Sequence, residues 1–572
     1  MNIIRFYKGA SNRLLQSDKA LTSCRSMGRK SSYFASSTSK LRELSGGDCG
    51  SSRNITTDMT EDRSWRRAYL AVGSNLGNRY QNIANALSSL ISNNPLTIRV
   101  TRTSYLRMTA PMYVTDQPEF LNGAVEVETT LSPLELLRSI KRIEAELGRD
   151  IGPNSTAIRF GPRPVDLDIL LFDEHDAGHS NTTTTLDTTP VSLIMQTEEL
   201  EIPHPRMSER EFVLSPMADL EGSDRNITHP VSNKTMSELL RYLRSQSNDK
   251  VTTNSTDHPA VRVLPLPSGR MLHFNKTIIM GILNVTPDSF SDGGRYDSKS
   301  SGEASALHHA MQLVRNGADI IDIGGESTRP GAEEVAVQEE LERVIPIIQR
   351  IRMEQPLLSN VPISIDTRNS KVARAAILAG ADIVNDVSGG THDPEMLATV
   401  ASLGVPMIIM HMRGNPKTMQ SMTDYSSVQD GGGEGTHSGV VSVVARELMQ
   451  RSAAAEAAGI PRWLQIVDPG IGFAKDMHGN VSLLKGVNTL RGYCDNLPLL
   501  IGPSRKGFIG KITGETNPEE RDYGTIAACL ASIQTLSSDE YGLDGACNIL
   551  RVHNVKAVKH ALVVYDAIRS AE

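Results

Sequence analysis

A chain of 572 residues is too long for one hydrophobic core, so two or three domains are expected. Its cysteines (Cys24, Cys49, Cys494, Cys529, Cys547) are odd in number and lack CxxC spacing, which argues against a disulfide framework or a zinc site. The formal charge of −7 hides an asymmetry, +7 over the first forty residues and −14 over the rest, and no segment has the length and apolarity of a membrane span.

The leader carries Arg5, Lys8, Arg13, Lys19, Arg25, Arg29, Lys30 and Lys40 against Asp18, is rich in Ser, and sets Ile3, Ile4, Phe6, Leu14 and Leu15 between the charges. It lacks the continuous apolar core of a secretory signal and fits an organellar transit peptide. The frequency of Arg favours the mitochondrial matrix over a plastid; an untargeted, cytosolic tail is the alternative. Residues 1–64 are assigned to this leader.

Structure is expected to begin near Trp65, with a strand at Ala68–Val72 running into the Gly73–Gly77 turn (GSNLG), then a helix over Asn82–Ile91. Strands at Thr97–Tyr105 and Ala124–Thr129, a helix over Ser132–Leu147 and a strand at Val165–Phe172 follow. That order suggests a small α+β sandwich, ferredoxin-like, with a largely antiparallel sheet. Asp166 and Asp168 are two apart on the last strand, so their side chains share a face, where paired hard-oxygen ligands suit Mg2+. Arg149, Arg159 and Arg163 crowd the same stretch, with Gly161 and Pro162 shaping the approach; carboxylates for metal beside guanidinium donors suit polyphosphate transfer. A solvated edge-strand face is the plainer reading of the Asp pair, and a helix C-terminal charge that of Arg149.

Four motifs, Gly73–Gly77, Asp116–Asn122 (DQPEFLN), Arg159–Asp168 (RFGPRPVDLD) and Pro203–Val213 (PHPRMSEREFV), closely resemble 6-hydroxymethyl-7,8-dihydropterin pyrophosphokinase over about Arg67–Leu243. The resemblance implies ATP as substrate, Mg2+ on Asp166 and Asp168, and phosphate contacts from Arg149, Arg159, Arg163, His204 and Arg210. It also implies a pterin slot of Thr109, Phe120, Asn122 and Phe212, with two rings sandwiching the heterocycle. Phe160 stands where many members have Trp, and the Thr-rich segment from Asp173 to Glu199 is read as a surface excursion. The domain is placed at residues 65–245 and a polar linker at 246–270.

From 271 to 572 there are eight apolar runs, nearly all ending on charged or amide residues: Ile278–Asn284; Asp319–Gly325, leading into Glu326 and Arg329; Pro362–Asp366; Asp382–Asp386; Pro406–His411; Leu464–Asp468; Pro498–Gly502, leading into Ser504, Arg505 and Lys506; and Asn548–His553. Helical patterns fall between them at Ser301–Asn316, Val335–Met353, Ser370–Ala379 and Asp393–Leu403. Eight such strands predict a closed β/α barrel of the TIM type, with its chemistry on the C-terminal rim. Among rim residues His411 is read as a core histidine bonded to backbone, Glu326 and Asp386 as orienting carboxylates, and the loop from Asp424 to His437 as mobile.

This half resembles dihydropteroate synthase through Asn284–Gly294, Gly325–Gly331, Met410–Met419, Asp468–Phe473, Ser504–Lys506 and Arg551–His553. A pterin edge presents paired N–H donors, which Asp366, Asn385 and Asp468 can meet; Lys506 can bond a ring carbonyl, and Phe473 and Arg551 can cover the flat faces. The resemblance implies Asn284 for Mg2+, with Thr328, Arg329, Arg551 and His553 for the departing diphosphate and Ser504 for the carboxylate of p-aminobenzoate. Asp288, Phe290 and Asp292 belong to a loop expected to close over p-aminobenzoate. Together the resemblances imply a bifunctional folate-synthesis enzyme acting on small molecules, with neither nucleic acid nor membrane as partner, and a homo-oligomer formed through the barrel. A pterin-binding methyltransferase barrel and a silent pterin sensor are the rivals.

Overall fold

The computed structural model describes residues 64–150, 158–176, 192–222, 225–248, 260–286, 298–327, 329, 331–354, 356–425, 439–534 and 547–571. Residues 1–63 of the leader lie outside them, as do residues 177–191 of the Thr-rich segment and 426–437 of the loop expected to be mobile.

The first unit is an antiparallel sheet with helices on both faces. Strands β1 (Arg66–Ser74), β2 (Ile98–Thr103), β3 (Leu106–Thr109), β4 (Phe120–Thr129) and β5 (Asp166–Asp176) supply most of it, with β1 between β4 and β5. Strand alternation sends Ala68, Leu70 and Val72 into the core that contains helices Arg79–Asn93 and Pro133–Glu146. Tyr69 and Ala71 point the other way, into the core of helices Glu211–Asp219 and Met236–Asn248. A strand buried on both sides therefore reads as one apolar run. Helix Pro133–Glu146 starts where it does because Ser132 and Glu135 form a reciprocal capping box and Pro133 fits the first turn. After β5, a short hairpin pairs β6 (Met195–Gln196) with β7 (Glu201–Ile202). The ends of the Thr-rich segment are therefore built into the domain, and Ser192 donates to Asp173 at 3.1 Å.

Residues 261–273, read from the sequence as linker and the first residues of the barrel, are instead part of this sheet. Strand β8 (Val261–Pro265) pairs antiparallel with β3, and β9 (Met271–His273) pairs with β8. Three to five residues are too few for a legible alternation, and the polar run before them hides the change.

The second unit is the expected barrel. Strands β10 (Ile278–Asn284), β11 (Ile320–Gly324), β12 (Ile363–Asp366), β13 (Ile383–Asp386), β14 (Met407–Met410), β15 (Gln465–Asp468), β16 (Leu500–Ile501) and β17 (Ile549–Val552) form an eight-stranded sheet whose printed registers are all parallel. A bridge between Val467 and Leu499 closes the ring. Each strand ends within two residues of its predicted limit at the rim. Among the described residues no helix is long and apolar enough to cross a membrane.

The β8–β9 hairpin determines how the units meet. Leu264, Leu266, Leu272 and Phe274 pack with Ile278, Ile320, Ile383, Ile408, Ile466, Leu500 and Ile549, residues at or near the first positions of the barrel strands. The hairpin thus plugs the N-terminal end of the barrel. Polar contacts surround the plug: Asp495 accepts from Arg102 at 2.8 Å and Arg462 at 2.7 Å, Tyr105 donates its hydroxyl to the Asp495 carbonyl at 2.8 Å, and Arg270 pairs with Asp382. All the barrel partners lie on segments entering strands, so the first domain docks on the face opposite the catalytic rim.

Candidate active sites

In the first domain, β5 places Asp166 opposite Gly73 and Asp168 opposite Ala71 on β1. Gly73 is required there: a Cβ would stand 2.7 Å from Asn122 Oδ1. Asn122 donates its amide to Thr109 Oγ1 at 2.8 Å, which orients both at the edge of the slot. Gln117 ties three motifs together, accepting from Asn75 at 3.0 Å and donating to the Phe160 carbonyl at 2.9 Å. Thr109, Phe120, Asn122, Phe212, Arg149, Arg163, Asp166, Asp168, His204 and Arg210 all line one open cleft with about 1040 Å³ of empty space. Arg159 does not line it; it is exposed, stacked over Phe160 at 5.0 Å, in a turn where Phe160 adopts φ 64°.

The cleft's charges are strongly coupled. Burial raises the Asp166 carboxyl, but the Arg149 and Arg163 guanidiniums outweigh it and hold the group below the usual carboxylate range. Burial and the Asp166 charge push Asp168 upward. Arg149 is more than a helix-end charge: it bridges Asp166 and Glu144, a fully buried carboxylate that also accepts from the Leu167 amide at 2.7 Å. Glu144 is a functional group the sequence reading missed. The Nε of Arg210 is buried without a hydrogen-bond partner, leaving a donor for a ligand oxygen.

At the barrel rim, β11, β12, β13 and β17 bring Asp322, Asp366, Asn385 and Arg551 together. Arg551 donates from Nε to Asp322 at 2.6 Å and from Nη2 to Asp366 at 2.7 Å, while Asn385 donates to Asp322 at 3.2 Å. Asp322 is 0% exposed and was not singled out from the sequence, because it sits mid-strand rather than at a strand end. Asp468, at the tip of β15, accepts from Gly470 at 2.7 Å. Gly470 holds φ 68°, and a Cβ there would fall 2.0 Å from the His411 carbonyl, so only glycine permits this turn. Lys506 Nζ lies 4.1 Å from the Phe473 ring centroid. Ser504 Oγ meets His553 Nδ1 at 2.9 Å. Between Ser504 and Lys506, Arg505 takes the left-handed conformation at φ 59°, held by Asp522 at 2.9 Å.

Burial dominates the rim's ionisation. It lifts Asp366 to about 7 against the pull of Arg551, with Asp322 adding to the rise. It lifts Asp468 to about 6, although the Gly470 amide opposes it. Lys506 falls to about 8, through burial and then the Arg551 charge, and His553 to about 3, through burial and then Arg505 and Arg551, so its imidazole is neutral.

Asn284 ends β10 beside Gly324, half-buried, and Arg329 is exposed. Thr328, Asp288, Phe290 and Asp292 lie outside the described residues. Glu326 accepts from Arg368 at 2.7 and 3.2 Å, and Asp386 from the Ser388 and Gly390 amides at 2.7 and 2.8 Å, so both act as supports. The ring of His411 is bonded to side chains, Glu447 and Lys475, rather than to backbone.

A cleft in one domain and a strand-end cluster in the other, each pairing carboxylates with guanidinium donors beside an aromatic ring, fit a two-domain enzyme of flat heterocycles and phosphate esters. Residues 69–222 match the family "7,8-dihydro-6-hydroxymethylpterin-pyrophosphokinase (HPPK)", and residues 280–553 match "Pterin binding enzyme". The chain is 39% identical to the mitochondrial "Folate synthesis bifunctional protein" of Arabidopsis thaliana, over 91% of this chain and 86% of that one. It is also 39% identical to "Folic acid synthesis protein fol1" of Pneumocystis carinii, over 91% of this chain but 62% of that longer protein. Its barrel half is 45% identical to the "Dihydropteroate synthase" of Synechocystis, covering 53% of this chain and 95% of that one. The chain belongs to the family of bifunctional folate-synthesis proteins.

The shared guanidinium gives a testable consequence. In Asp322→Asn, a repulsive charge disappears and Arg551 is left to Asp366 alone, so the Asp366 carboxyl should titrate well below 7. Carboxyl 13C NMR, assigned by difference against Asp366→Asn, measures this; a midpoint at or above 7 contradicts it.

Proposed function

We propose that the two sites act in series on one pterin, with the residue roles given below. The family's steps are diphosphorylation of 6-hydroxymethyl-7,8-dihydropterin by ATP, releasing AMP, and condensation of that diphosphate with p-aminobenzoate to 7,8-dihydropteroate and diphosphate. The observation that carries the first assignment is the single cleft in which Asp166, Asp168, Arg149 and Arg163 face the Thr109–Asn122 slot.

In the first step the pterin hydroxyl attacks the β-phosphorus of ATP and AMP departs. Asn122 and Thr109 read the pterin edge, and Phe120 and Phe212 cover its faces. Arg163, Arg210 and His204 meet phosphate oxygens, and Arg149 fixes Asp166; Arg159 would have to turn inward to join them. Asp166 and Asp168 would hold Mg2+, which when bound neutralises phosphate charge. The donor set fits: two neighbouring half-buried carboxylates on one face repel each other, raising Asp168, and a dication between them would relieve this. Among the described residues no third His, Cys, Asp or Glu completes a cluster there, leaving positions for phosphate oxygens and water.

In the second step the bond from the pterin methylene carbon to the diphosphate oxygen breaks, the arylamine nitrogen bonds to that carbon and loses a proton. Asp468, Asp366 and Asn385 accept or read the pterin edge, Lys506 donates to its carbonyl, and Phe473 and Arg551 cover its faces. Ser504 and the neutral His553 share one hydrogen bond and leave one donor between them for the p-aminobenzoate carboxylate or the diphosphate, and the resemblance adds Arg329 and Thr328 for the diphosphate. Asn284 would hold a second Mg2+ through its amide oxygen, and the ion would supply charge for the departing diphosphate.

With each half given its own substrates, Asp168→Asn should lower AMP release by about a hundred-fold or more and leave dihydropteroate formation intact. Asp468→Asn or Lys506→Ala should do the reverse; loss of neither product, or of both together, would sink the assignment.

The basic leader and the mitochondrial forms among the relatives support a matrix location. A fluorescent fusion of residues 1–60 should co-localise with a mitochondrial marker; a diffuse cytosolic signal is the contrary result.

A further inference from the structure

We propose that Lys475 and His411 form a positioning pair that fixes the Phe473 ring, and so the pterin face of the barrel site, without touching substrate. The inference rests on the reading that Phe473 covers the pterin.

The chain leaves β15 through Phe473, Ala474 and Lys475, and Ala474 holds φ 50°, a left-handed conformation that costs energy in a residue with a Cβ. Such strain persists only where neighbours over-determine it. Three ties do so: the Tyr425 hydroxyl donates to the Ala474 carbonyl at 2.9 Å, Lys475 Nζ donates to the Phe473 carbonyl at 2.9 Å, and Nζ also meets His411 Nδ1 at 3.0 Å. The lysine side chain folds back to tie the Phe473 carbonyl to the His411 ring.

Burial lowers Lys475 to about 7; the Glu447 carboxylate accepts from His411 Nε2–H at 2.7 Å, which leaves Nδ1 to accept from Lys475, a donor-only ammonium when protonated. That assignment needs a neutral imidazole, and burial together with the Lys475 charge brings His411 down to about 3. Glu447 is anchored in turn by Arg413. A continuous line therefore runs from the helix Val440–Ala458 through Glu447, His411 and Lys475 to the backbone that carries the Phe473 ring.

The position is an expensive one for an ammonium. Lys475 is 3% exposed; Asp468 and Glu447 attract it, while Arg451 and Arg413 repel it. Methionine would fill similar space without that penalty, so what lysine adds is directed donors. The beneficiary is Phe473, whose ring also bears the Lys506 ammonium. Freed, the ring and Lys506 would both lose their fixed places, which weakens pterin binding. Ser504, assigned to p-aminobenzoate, lies on the separate turn after β16 and keeps its contact with His553.

The experiment uses the full-length protein with Lys475→Met, His411→Phe and the milder Glu447→Gln, beside Phe473→Ala as reference. The two tie-breaking variants should raise the KM for the pterin diphosphate about ten-fold, as expected for loss of one charged hydrogen bond. The KM for p-aminobenzoate should stay within about two-fold, and AMP release by the first domain should be unchanged. Glu447→Gln, which keeps an acceptor for His411, should show the same split at smaller size. Both KM values rising together, or a wild-type pterin KM in all three, overturns the proposal; if the stronger variants fail to fold, the split in Glu447→Gln decides. If Phe473→Ala itself leaves the pterin KM unchanged, the assignment of the pterin face fails instead.

Discussion

One guanidinium held between two carboxylates is the device on which both sites depend. In the barrel, Arg551 joins Asp322, 0% exposed, to Asp366 at the mouth; in the first domain, Arg149 joins Glu144, also 0% exposed, to Asp166 in the cleft. In each case the inner carboxylate faces no ligand. Its task is to fix the arginine so that the outer carboxylate meets a placed charge rather than a mobile one. The cost is desolvation, and the two sites meet it differently: burial lifts Asp366 above the ordinary carboxylate range against the pull of Arg551, whereas Arg149 and Arg163 hold Asp166 below that range and its charge helps lift the neighbouring Asp168.

The second constraint is the plug. The β8–β9 hairpin belongs to the sheet of one domain and to the hydrophobic floor of the other, so the domains share a core at the barrel's N-terminal end. The barrel interior is filled by side chains, as in barrels of this type generally, and offers no passage between its ends. A diphosphate made in the first domain must go around the barrel to the rim where Asp468 and Lys506 wait. The contact that joins the domains lies at the end of the barrel away from the rim.

Much of this was legible in the sequence, for a physical reason. Half of the barrel strands stop on a polar residue at the rim, so that limit and chemistry coincide, as at Asn284, Asp366, Asp386 and Asp468. What escaped is what carries no such mark. Asp322 and Glu144 are buried charges inside elements, where one polar residue looks like part of a solvated face. The hairpin at 261–273 is too short for its alternation to register, and Lys475 follows a recognisable motif yet acts through its neighbours. Arg159 was placed in the cleft by its motif, whereas the left-handed turn at Phe160 leaves it in solvent.

The central claim is that one chain transfers a diphosphoryl group to the pterin and then expels it. ATP labelled at the γ-phosphorus, incubated with the full-length protein, Mg2+, hydroxymethyldihydropterin and p-aminobenzoate, follows both events at once. The account predicts that the label leaves as inorganic diphosphate, one for each dihydropteroate formed, and stays on the pterin when p-aminobenzoate is withheld. Label appearing as orthophosphate, or dihydropteroate formed without labelled diphosphate, would contradict it.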